Sequence, residues 1–283
     1  MKLYGLLGKD ISYSLSPAMH NAAFRALGME ARYEIFDRDK DKLPGFFGEL
    51  KNGRIAGCNV TIPYKGDTLS FMDECDPLAR SVGSVNTVFS AKGKLTGFNT
   101  DCRGFIEALT GKRTGDLGFD PRQKDVIVFG AGGAGRAVVM SLLELGVKKL
   151  AIVDIDQRKA ENLASAASGR RQDAVITVIE DNDKKNEFAS KANLLVNATA
   201  CGRYPDDEHL FDYRYITEDT HVFDLVYAAE TSLVKKARWR GAKAQGGLNM
   251  LLYQAAESFK IWTGMKNAPL AVMHKAVIEE ISK

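Results

Sequence analysis

The sequence lacks most features that mark disulfide-bonded, metal-binding, membrane or nucleic-acid-binding proteins. Its four cysteines and four histidines are scattered, with no CxxC pair and no metal-like spacing, so neither a disulfide framework nor a metal site is expected. No run approaches the roughly 20 apolar residues of a membrane span, and the first residues lack the apolar core of a signal peptide. The net charge of +3 gives no reason to expect nucleic acid. We therefore expect a soluble, cytoplasmic protein.

The sequence does contain two successive alternations of short apolar runs with helical patterns. In the first, "KLYGLLG", "ARYEIFD" and "IAGCNV" are typical of strands, "PAMHNAAFRALG" and "YKGDTLSFMDE" of helices, and "SVNTVFS" with "KLTGFNTD" of a strand pair. The polar stretch "KRTGDLGFDPRQ" then precedes a second alternation, which begins with "DVIVFG" and ends in two helical patterns. This pattern predicts an α/β protein with two α/β domains and mostly parallel sheets.

The second alternation opens with a glycine-rich loop, "VIVFGAGGAGRAVV". Gly130, Gly132 and Gly135 have the spacing G-x-G-x-x-G. Such a pattern alone marks no more than a tight turn, but here a strand precedes it and an amphipathic helix follows it, as dinucleotide binding requires. Glycine lets the backbone approach a pyrophosphate closely, and the helix N-terminus offers free N–H groups. The loop therefore predicts a Rossmann-type dinucleotide-binding domain.

Two acids follow the next strand, in "KKLAIVDIDQRKAENLA". Asp154 lies 24 residues after Gly130, where an acid accepts hydrogen bonds from the ribose hydroxyls of NAD. The 2′-phosphate of NADP would bring further negative charge beside Asp154 and Asp156. Ile155 stands where an arginine clamp for that phosphate is expected. NAD is therefore the expected cofactor.

Two alternatives to this interpretation stay open. Arg158 and Lys159 follow in the next helix and could still reach the phosphate of NADP. Asp156 could simply cap the helix that starts at Gln157.

Polar side chains also concentrate at three strand ends in the first hundred residues. They are Ser14 and Ser16, Thr61 and Lys65, and Asn86 and Asp101. Two hydroxyls beside a helix N-terminus, as in the first group, would suit a bound carboxylate. Simpler explanations exist as well, because Ser16 and Asp101 could cap the helices that follow them. Lysines such as Lys65 are usually solvated surface charges.

Together these segments resemble one family. "SLSPAMHN", "NVTIPYK", "GSVNTV", "GFNTD", "GAGGAGRA", "NAT" and "YQAAESF" occur in the order and spacing of the shikimate dehydrogenase family, which includes the quinate/shikimate dehydrogenases. The resemblance runs from Gly5 to the last helix. It implies a two-domain enzyme with its active site in the cleft between the domains. Such an enzyme reversibly oxidises the secondary alcohol of a cyclic hydroxycarboxylic acid with a nicotinamide cofactor.

The resemblance also implies a division of the chain. Residues 1–103 and 249–283 would form the substrate-binding catalytic domain, and residues 104–248 the Rossmann domain, so that the C-terminal helices return to the first domain. A homodimer is suggested by family analogy only.

Residue roles carry over by matching position. Ser14 and Ser16 should hold the substrate carboxylate, and Lys65 and Asp101 should be the pair at the reacting hydroxyl, which must lose a proton as the carbon loses a hydride. The residues expected to contact the substrate hydroxyls or line the pocket are Thr61, Asn86, Tyr227 and Gln254. The residues expected to contact the cofactor are Gly130, Ala131, Gly132, Gly133, Ala134, Asp154, Asp156, Lys159, Thr199, Leu225 and Gly247.

The chain departs from the family pattern at a few positions. Asp154-Ile155-Asp156 replaces the Asn-Arg-Thr-like segment of many members that use NADP, and it resembles the NAD-using quinate/shikimate branch. Cys102 stands where glycine is usual, Arg203 where methionine is frequent, and Ala228-Ala229 where Asn-Pro is common.

The leading hypothesis is an NAD-preferring shikimate or quinate/shikimate dehydrogenase. Shikimate is the expected substrate, and quinate stays open because the serine pair does not exclude its additional hydroxyl. The alternatives are an NADP-dependent biosynthetic shikimate dehydrogenase and a non-catalytic dinucleotide-binding regulator that kept the fold.

Overall fold

The computed structural model describes the whole chain except four residues, which are Gln172, Pro205, Ala228 and Ala229. The chain divides into two compact units. The first unit contains Met1–Gly104 together with Leu252–Lys283, and the second contains Phe105–Leu251. The first unit is therefore built from two separate stretches of sequence, the later of which is helical.

The strands and helices alternate along most of the chain. The strands are β1 (Lys2–Gly8), β2 (Ala31–Asp37), β3 (Gly57–Val60), β4 (Glu74–Cys75), β5 (Thr87–Ala91), β6 (Lys94–Phe98), β7 (Asp125–Phe129), β8 (Lys149–Val153), β9 (Val175–Val178), β10 (Leu194–Asn197), β11 (His221–Asp224) and β12 (Lys243–Gln245). The α-helices are α1 (Ser16–Ala26), α2 (Leu43–Lys51), α3 (Pro77–Val82), α4 (Asp101–Thr110), α5 (Gly133–Leu145), α6 (Gln157–Ser168), α7 (Asn182–Ala189), α8 (Ser232–Trp239), α9 (Leu248–Thr263) and α10 (Leu270–Ile281). Short 3₁₀ helices lie at Lys40–Lys42, Asp67–Phe71 and Tyr213–Tyr215. Within the described residues, none of the helices has both the length and the apolar composition needed to cross a membrane.

The first unit contains a mixed sheet with the strand order β2-β1-β3-β5-β6-β4. Three pairings are parallel, β1 with β2, β1 with β3 and β4 with β6, whereas β5 runs antiparallel to both β3 and β6. Every residue of β3 is buried. Leu7, Phe47, Leu50 and Val88 belong to the core that packs on this sheet. The mostly parallel sheet predicted for the first domain is confirmed.

The second unit contains a sheet with the order β12-β11-β10-β7-β8-β9, in which every described pairing is parallel. The strand order reverses between β10 and β7, which is the arrangement of a Rossmann fold and the place at which such sheets bind dinucleotides. Ile127, Phe129, Leu195 and Val222 lie in the core on this sheet. The predicted Rossmann-type α/β fold is confirmed.

Some elements differ from the sequence-based expectation. The stretch "YKGDTLSFMDE" was expected to be helical, but it forms only a 3₁₀ helix followed by the two residues of β4. Its apolar residues Leu69, Phe71 and Met72 are partly buried and pack against the core of the first unit. The sequence did not predict α3, α7, α8 or β12. The polar α7 buries only Ala189, and β12 has three residues, so neither carries an apolar periodicity.

The first unit buries a histidine among aromatic rings. The ring of His20 stacks on Tyr33 with centroids 4.4 Å apart and lies 5.2 Å from the ring of Trp262. Neither ring nitrogen of His20 has a hydrogen-bond partner among the described residues. Burial lowers the pKa of His20 to about 3, because the surroundings offer the imidazolium no solvation. The fold therefore holds this histidine neutral.

The free energy of unfolding should consequently fall in mild acid. His20 takes up a proton near about pH 6.5 in the unfolded chain but only at about pH 3 in the folded chain. Its contribution to stability is therefore complete above the unfolded pKa and is lost as the pH falls. We expect His20 to account for about 1.6 kcal/mol of the loss between pH 6.5 and pH 5.

Urea unfolding at several pH values measures this effect. The His20→Phe variant should show a flatter pH dependence than the wild type. His274→Phe, which replaces an exposed histidine of α10, serves as the control and should keep the wild-type slope. Identical slopes for the wild type and His20→Phe would show that the prediction is wrong.

Candidate active site

The candidate residues of the first unit lie at one edge of its sheet. β1 and β3 are parallel, so Ser14 and Thr61, which follow them, extend from the same edge. Thr87 opens β5 and pairs with the last residue of β6 and with the third residue of β3. Asn86, before β5, and Asp101, after β6, therefore lie at this edge as well. The structure brings together polar groups from four different parts of the sequence.

A largely buried ion pair joins two of these loops. Lys65 Nζ donates a hydrogen bond to Asp101 Oδ2 at 2.6 Å, and the two side chains are only 14% and 6% exposed. In the same unit, Lys40 and Asp67 form an ordinary surface pair at 3.0 Å with side chains 72% and 38% exposed, of a kind that contributes little to stability. The surface-charge explanation for Lys65 is therefore wrong.

Asn86 fixes the other oxygen of this carboxylate. The backbone N–H of Thr100 donates to Asn86 Oδ1 at 2.7 Å, which identifies that end of the amide as the oxygen. Asn86 Nδ2 then donates to Asp101 Oδ1 at 2.8 Å. Asp101 thus uses one oxygen for Asn86 and one for Lys65. Asn86 is itself buried, and its expected contact with a substrate hydroxyl stays a prediction.

Sequence reasoning missed a second layer of polar residues beneath Asn86. Asn59, Thr87 and Ser258 are all buried. Thr87 Oγ1 donates to Asn86 Oδ1 at 3.0 Å. Asn59 Nδ2 donates to Thr87 Oγ1 at 3.0 Å and to Ser258 Oγ at 2.8 Å. A signal was present, because an asparagine inside the apolar run "IAGCNV" must find buried partners.

The two serines lie side by side at the start of α1. Ser14 Oγ donates to Ser16 Oγ at 3.2 Å and accepts from the N–H of Ser16 at 3.3 Å. Ser16 is the first residue of the helix, and no side chain caps the helix from the preceding position, Leu15. The capping explanation for Ser16 is therefore wrong. Two hydroxyls at the start of a helix fit a carboxylate. Thr61 is partly buried after β3, where its N–H donates to the carbonyl of Leu7 at 2.9 Å.

Gln254 reaches the same group from α9. Its Oε1 lies 3.5 Å from Asn86 Nδ2 and 3.5 Å from Thr100 Oγ1, at the limit of a hydrogen bond. The structure therefore brings Gln254 to the Asn86–Asp101 pair. Tyr227 belongs to the second unit, where it is partly buried in the loop after β11.

In the second unit, the glycine loop connects β7 to α5. Gly130 has a φ of 103°, in the region that favours glycine, and its N–H donates to the carbonyl of Val153 at 2.7 Å. Ala131 is buried, whereas Gly133 and Ala134 are partly exposed in the first turn of α5. No side chain caps this helix. Its N-terminal N–H groups therefore fit a pyrophosphate.

The other two glycines of the motif serve different purposes. A Cβ on Gly135 would overlap the carbonyl oxygen of Gly130, so the helix can pack on the loop only with glycine there. A Cβ on Gly132 would meet no atom within 4 Å, and its φ of −72° suits any residue. The fold does not need glycine at position 132. The open space beside it is what a bound pyrophosphate would require.

Asp154 holds the glycine loop from the end of β8. Its Oδ2 accepts a hydrogen bond from the N–H of Ala131 at 2.6 Å, and its Oδ1 accepts from the N–H of Asp156 at 2.8 Å. Each carboxylate oxygen can accept two hydrogen bonds. Among the described contacts, one acceptor position on each oxygen therefore remains for ribose hydroxyls. The sequence pattern does not predict this bond between Asp154 and the glycine loop.

Asp156 caps α6, which confirms the simpler explanation of this residue. Its side chain accepts from the N–H of Lys159, and the Lys159 ammonium lies 3.4 Å from the same carboxylate. Ile155 is fully exposed between the two acids. Contacts of Asp156 and Lys159 with the cofactor stay predictions.

The remaining cofactor candidates follow neighbouring parallel strands. Thr199, Leu225 and Gly247 come after β10, β11 and β12, at the same edge of the sheet as the glycine loop. The N–H of Gly247 donates to the carbonyl of Val226 at 3.0 Å. A Cβ on Gly247 would overlap the carbonyl oxygen of Leu225. The structure therefore brings Leu225 and Gly247 into contact and requires glycine at that position.

Three departures from the expected pattern have different surroundings. Cys102 is buried in α4 next to Asp101. Arg203 lies in the loop after β10. Ala228 and Ala229 lie outside the described residues.

Over the part of the chain that the structure describes, no group of three or more His, Cys, Asp or Glu side chains is placed to hold a metal ion.

Comparison with known proteins identifies the family. A family model described as shikimate dehydrogenase substrate binding domain matches residues 6–88, and one described as Shikimate 5′-dehydrogenase C-terminal domain matches residues 247–278. A ThiF family model matches residues 120–199, which contain the glycine loop. A relative from Methanopyrus kandleri named shikimate dehydrogenase (NADP(+)) is 39% identical over 98% of this chain and 95% of its own length. The chain belongs to the shikimate dehydrogenase family.

Solved structures of similar proteins contain either cofactor. Shikimate 5-dehydrogenase from Thermus thermophilus, in complex with NADP(H) and shikimate, is 36% identical with a TM-score of 0.84 and 99% coverage of both chains. Quinate dehydrogenase from Corynebacterium glutamicum, in complex with NAD, is 31% identical with a TM-score of 0.84 and covers 98% of this chain and 99% of its own. These similarities confirm the family and the fold, and they leave the cofactor of this member open.

The different surroundings of Gly132 and Gly135 allow a test of whether the glycine loop binds the pyrophosphate. Gly135→Ala should lower the free energy of unfolding by about 1–3 kcal/mol, because the added methyl group overlaps backbone. Gly132→Ala should change stability by less than about 0.5 kcal/mol but should weaken dinucleotide binding, because its methyl group fills the space proposed for the pyrophosphate.

Urea unfolding and calorimetric titration with NAD and NADP would separate the two effects. A Gly132→Ala variant that binds both dinucleotides like the wild type would place the pyrophosphate elsewhere.

Proposed function

We propose that this member of the family reversibly oxidises shikimate to 3-dehydroshikimate with NAD as its preferred cofactor. The observation that carries the proposal is the buried pair of Lys65 and Asp101, joined at 2.6 Å at the polar edge of the first sheet. Removing an ion pair from water costs desolvation free energy. Its retention at this edge supports a catalytic role over a structural one.

The proposed chemistry assigns the proton to the first unit. Oxidation of a secondary alcohol removes a hydride from carbon and a proton from oxygen, and NAD supplies the hydride acceptor when it is bound. Lys65 and Asp101 form the relay through which the hydroxyl proton leaves. Asn86 holds Asp101 by its second oxygen, so the relay is oriented before the substrate arrives.

The carboxylate of the substrate is assigned to the serine pair. Ser14 and Ser16 present two hydroxyls at the N-terminus of α1, where an anion is favoured. Thr61 and Gln254 are proposed to contact the ring hydroxyls. Quinate carries an additional hydroxyl on the carbon that bears the carboxylate. We propose it as a second substrate, in line with the similarity to a quinate dehydrogenase.

The preference for NAD rests on Asp154. Its carboxylate accepts from the glycine loop and retains acceptor positions for two ribose hydroxyls. A 2′-phosphate placed there would meet this negative charge. Two unit charges 4 Å apart repel by about 1 kcal/mol in water and about 4 kcal/mol at an effective dielectric constant of 20. Either value corresponds to a preference for NAD of several-fold or more.

The NADP-dependent alternative is favoured by the names of relatives, such as that from Methanopyrus kandleri. In this chain, however, the Lys159 ammonium already lies 3.4 Å from Asp156, so that lysine would have to leave its partner to bind a phosphate. Arg158 is exposed in the same turn. A non-catalytic regulator remains the alternative outside the enzymes, and it predicts no turnover at all.

Cellular location and assembly stay predictions. The four thiols are free, and the cytoplasm is the location proposed from the sequence. The homodimer suggested by family analogy is likewise a proposal.

The catalytic assignment predicts the behaviour of variants of the buried pair. Lys65→Met and Asp101→Asn should each lower kcat by about 10²–10⁴-fold, because the proton relay is lost. Lys40→Met removes a lysine from the exposed pair with Asp67 and should keep kcat within about twofold of the wild type. Initial rates with shikimate and NAD measure all three. Full turnover by Lys65→Met would refute the assignment.

The cofactor assignment predicts the outcome of crossing shikimate and quinate with NAD and NADP. The wild type should prefer NAD by about tenfold or more in kcat/KM, which corresponds to about 1.4 kcal/mol. Asp154→Asn should narrow that ratio because it removes the charge that repels the phosphate. Asp120→Asn, at an exposed ion pair of the same unit, is the control. A preference of the wild type for NADP would leave the biosynthetic alternative standing.

A further inference from the structure

We propose that Asn197 and Asp224, together with Thr231, form a positioning device that holds two loops proposed to contact the cofactor. The inference rests on the proposed function and deepens it. These residues are not assigned a contact with cofactor or substrate. They act through the loops that follow β10 and β11.

The device begins at the ends of two neighbouring strands. Asn197 and Asp224 are the last residues of β10 and β11, and they pair with each other in the parallel register. Asn197 Nδ2 donates to Asp224 Oδ1 at 2.9 Å. Both side chains are buried. The hydrogen bond therefore ties the two strands at the point where their loops begin.

Asn197 also fixes the loop after β10. Its Oδ1 accepts from the N–H of Thr199 at 3.0 Å and from Thr199 Oγ1 at 2.7 Å. Its Nδ2 donates to the carbonyl of Cys201 at 2.9 Å. One side chain thus sets the first four residues of this loop, including Thr199, which is proposed to contact the cofactor.

Asp224 fixes the loop after β11 at both of its ends. At the near end, Oδ1 accepts from the N–H of Val226 at 3.0 Å. At the far end, Oδ2 accepts from Thr231 Oγ1 at 2.6 Å. Thr231 is the N-cap of α8, where its hydroxyl accepts from the N–H of Val234. Leu225 and Tyr227, both assigned to the site, lie in the segment that this carboxylate closes.

The carboxylate is retained at a cost to stability. Burial raises the pKa of Asp224 to about 6, although its three donors act in the opposite direction. All three donors, from Asn197, Val226 and Thr231, are neutral. The folded pKa exceeds the unfolded value of about 3.9, so the associated stability is present below about pH 4 and is lost as the pH rises through about 6. A buried charge that weakens the fold at neutral pH supports a functional role for the positioning device.

A second negative charge placed beside Asp224 tests the proposal directly. Asn197→Asp keeps the acceptor for Thr199 but places a second carboxylate 2.9 Å from Asp224 Oδ1. The two loops should separate, and the Kd for NAD should rise by about tenfold or more. In the double variant Asn197→Asp/Asp224→Asn, the new amide can donate to the new carboxylate, although the same amide nitrogen can no longer accept from the N–H of Val226, so the rescue should be partial. The double variant should therefore bind NAD several-fold more tightly than Asn197→Asp alone.

Thr231 gives a second, milder test. Thr231→Val has almost the same shape but loses the hydroxyl, and it should weaken NAD binding several-fold. Thr231→Ser keeps the hydroxyl and should restore most of the affinity that valine loses. Asp181→Ala removes a helix cap of the same unit, at the exposed start of α7. It controls for the general effect of losing a cap and should not change NAD affinity.

Thermal melting first selects the variants that are folded. For these variants, calorimetric titration gives the Kd for NAD and for shikimate, and initial rates give the turnover. The proposal expects a higher Kd for NAD, an unchanged Kd for shikimate and rescue in the double variant and in Thr231→Ser. Wild-type NAD affinity in folded Asn197→Asp, or no rescue in either case, would overturn it. Absence of turnover in a wild type that still binds NAD would refute the proposed function and leave this inference intact.

Discussion

The direction of strand pairing is the constraint on which both candidate sites depend. The central strands β3 and β10 are buried along their whole length and are mostly apolar, so most functional polar groups lie where strands end. In the second sheet all described pairings are parallel, and every strand that carries a cofactor candidate ends at one edge. In the first sheet, the two antiparallel pairings of β5 bring the start of β5 and the end of β6 to the edge where β1 and β3 also end. Without that reversal, Asn86 could not reach Asp101.

The two buried carboxylates show two ways of holding a charge out of water. Asp101 receives a cation, Lys65, and one amide, so its charge is compensated. Asp224 receives only neutral donors, and burial raises its pKa to about 6. The difference matches the proposed roles, because a proton relay needs a partner that can exchange a proton, whereas a structural junction needs only acceptors at fixed positions. In both cases an asparagine from a neighbouring strand end sets the orientation of the acid.

Sequence patterns were sufficient where apolar periodicity or a spaced motif was present. They predicted the glycine loop, the acid after β8, the α/β class and the strand pair β5–β6. They failed for α7, whose polar sequence buries little, and for β12, which is too short to show a period. In the sites they missed Asn59, Asn197 and Asp224, because a buried polar residue within a strand or at its end is recognised by its partners. Those partners are far away in sequence, as Asn59 and Ser258 are, and only the fold brings them together.

The dual role of Asp154 shows how cofactor choice and loop geometry are coupled in this chain. One oxygen holds Ala131 in the glycine loop, and the other holds the backbone before α6. An asparagine at this position has a single acceptor oxygen, so it could keep only one of these two bonds and would turn its amide N–H₂ group towards the other donor. A change that removes the charge against NADP therefore also disturbs the loop proposed to bind the pyrophosphate. Conversion to NADP use would need a new partner for one of the two backbone N–H groups as well as a cation for the phosphate.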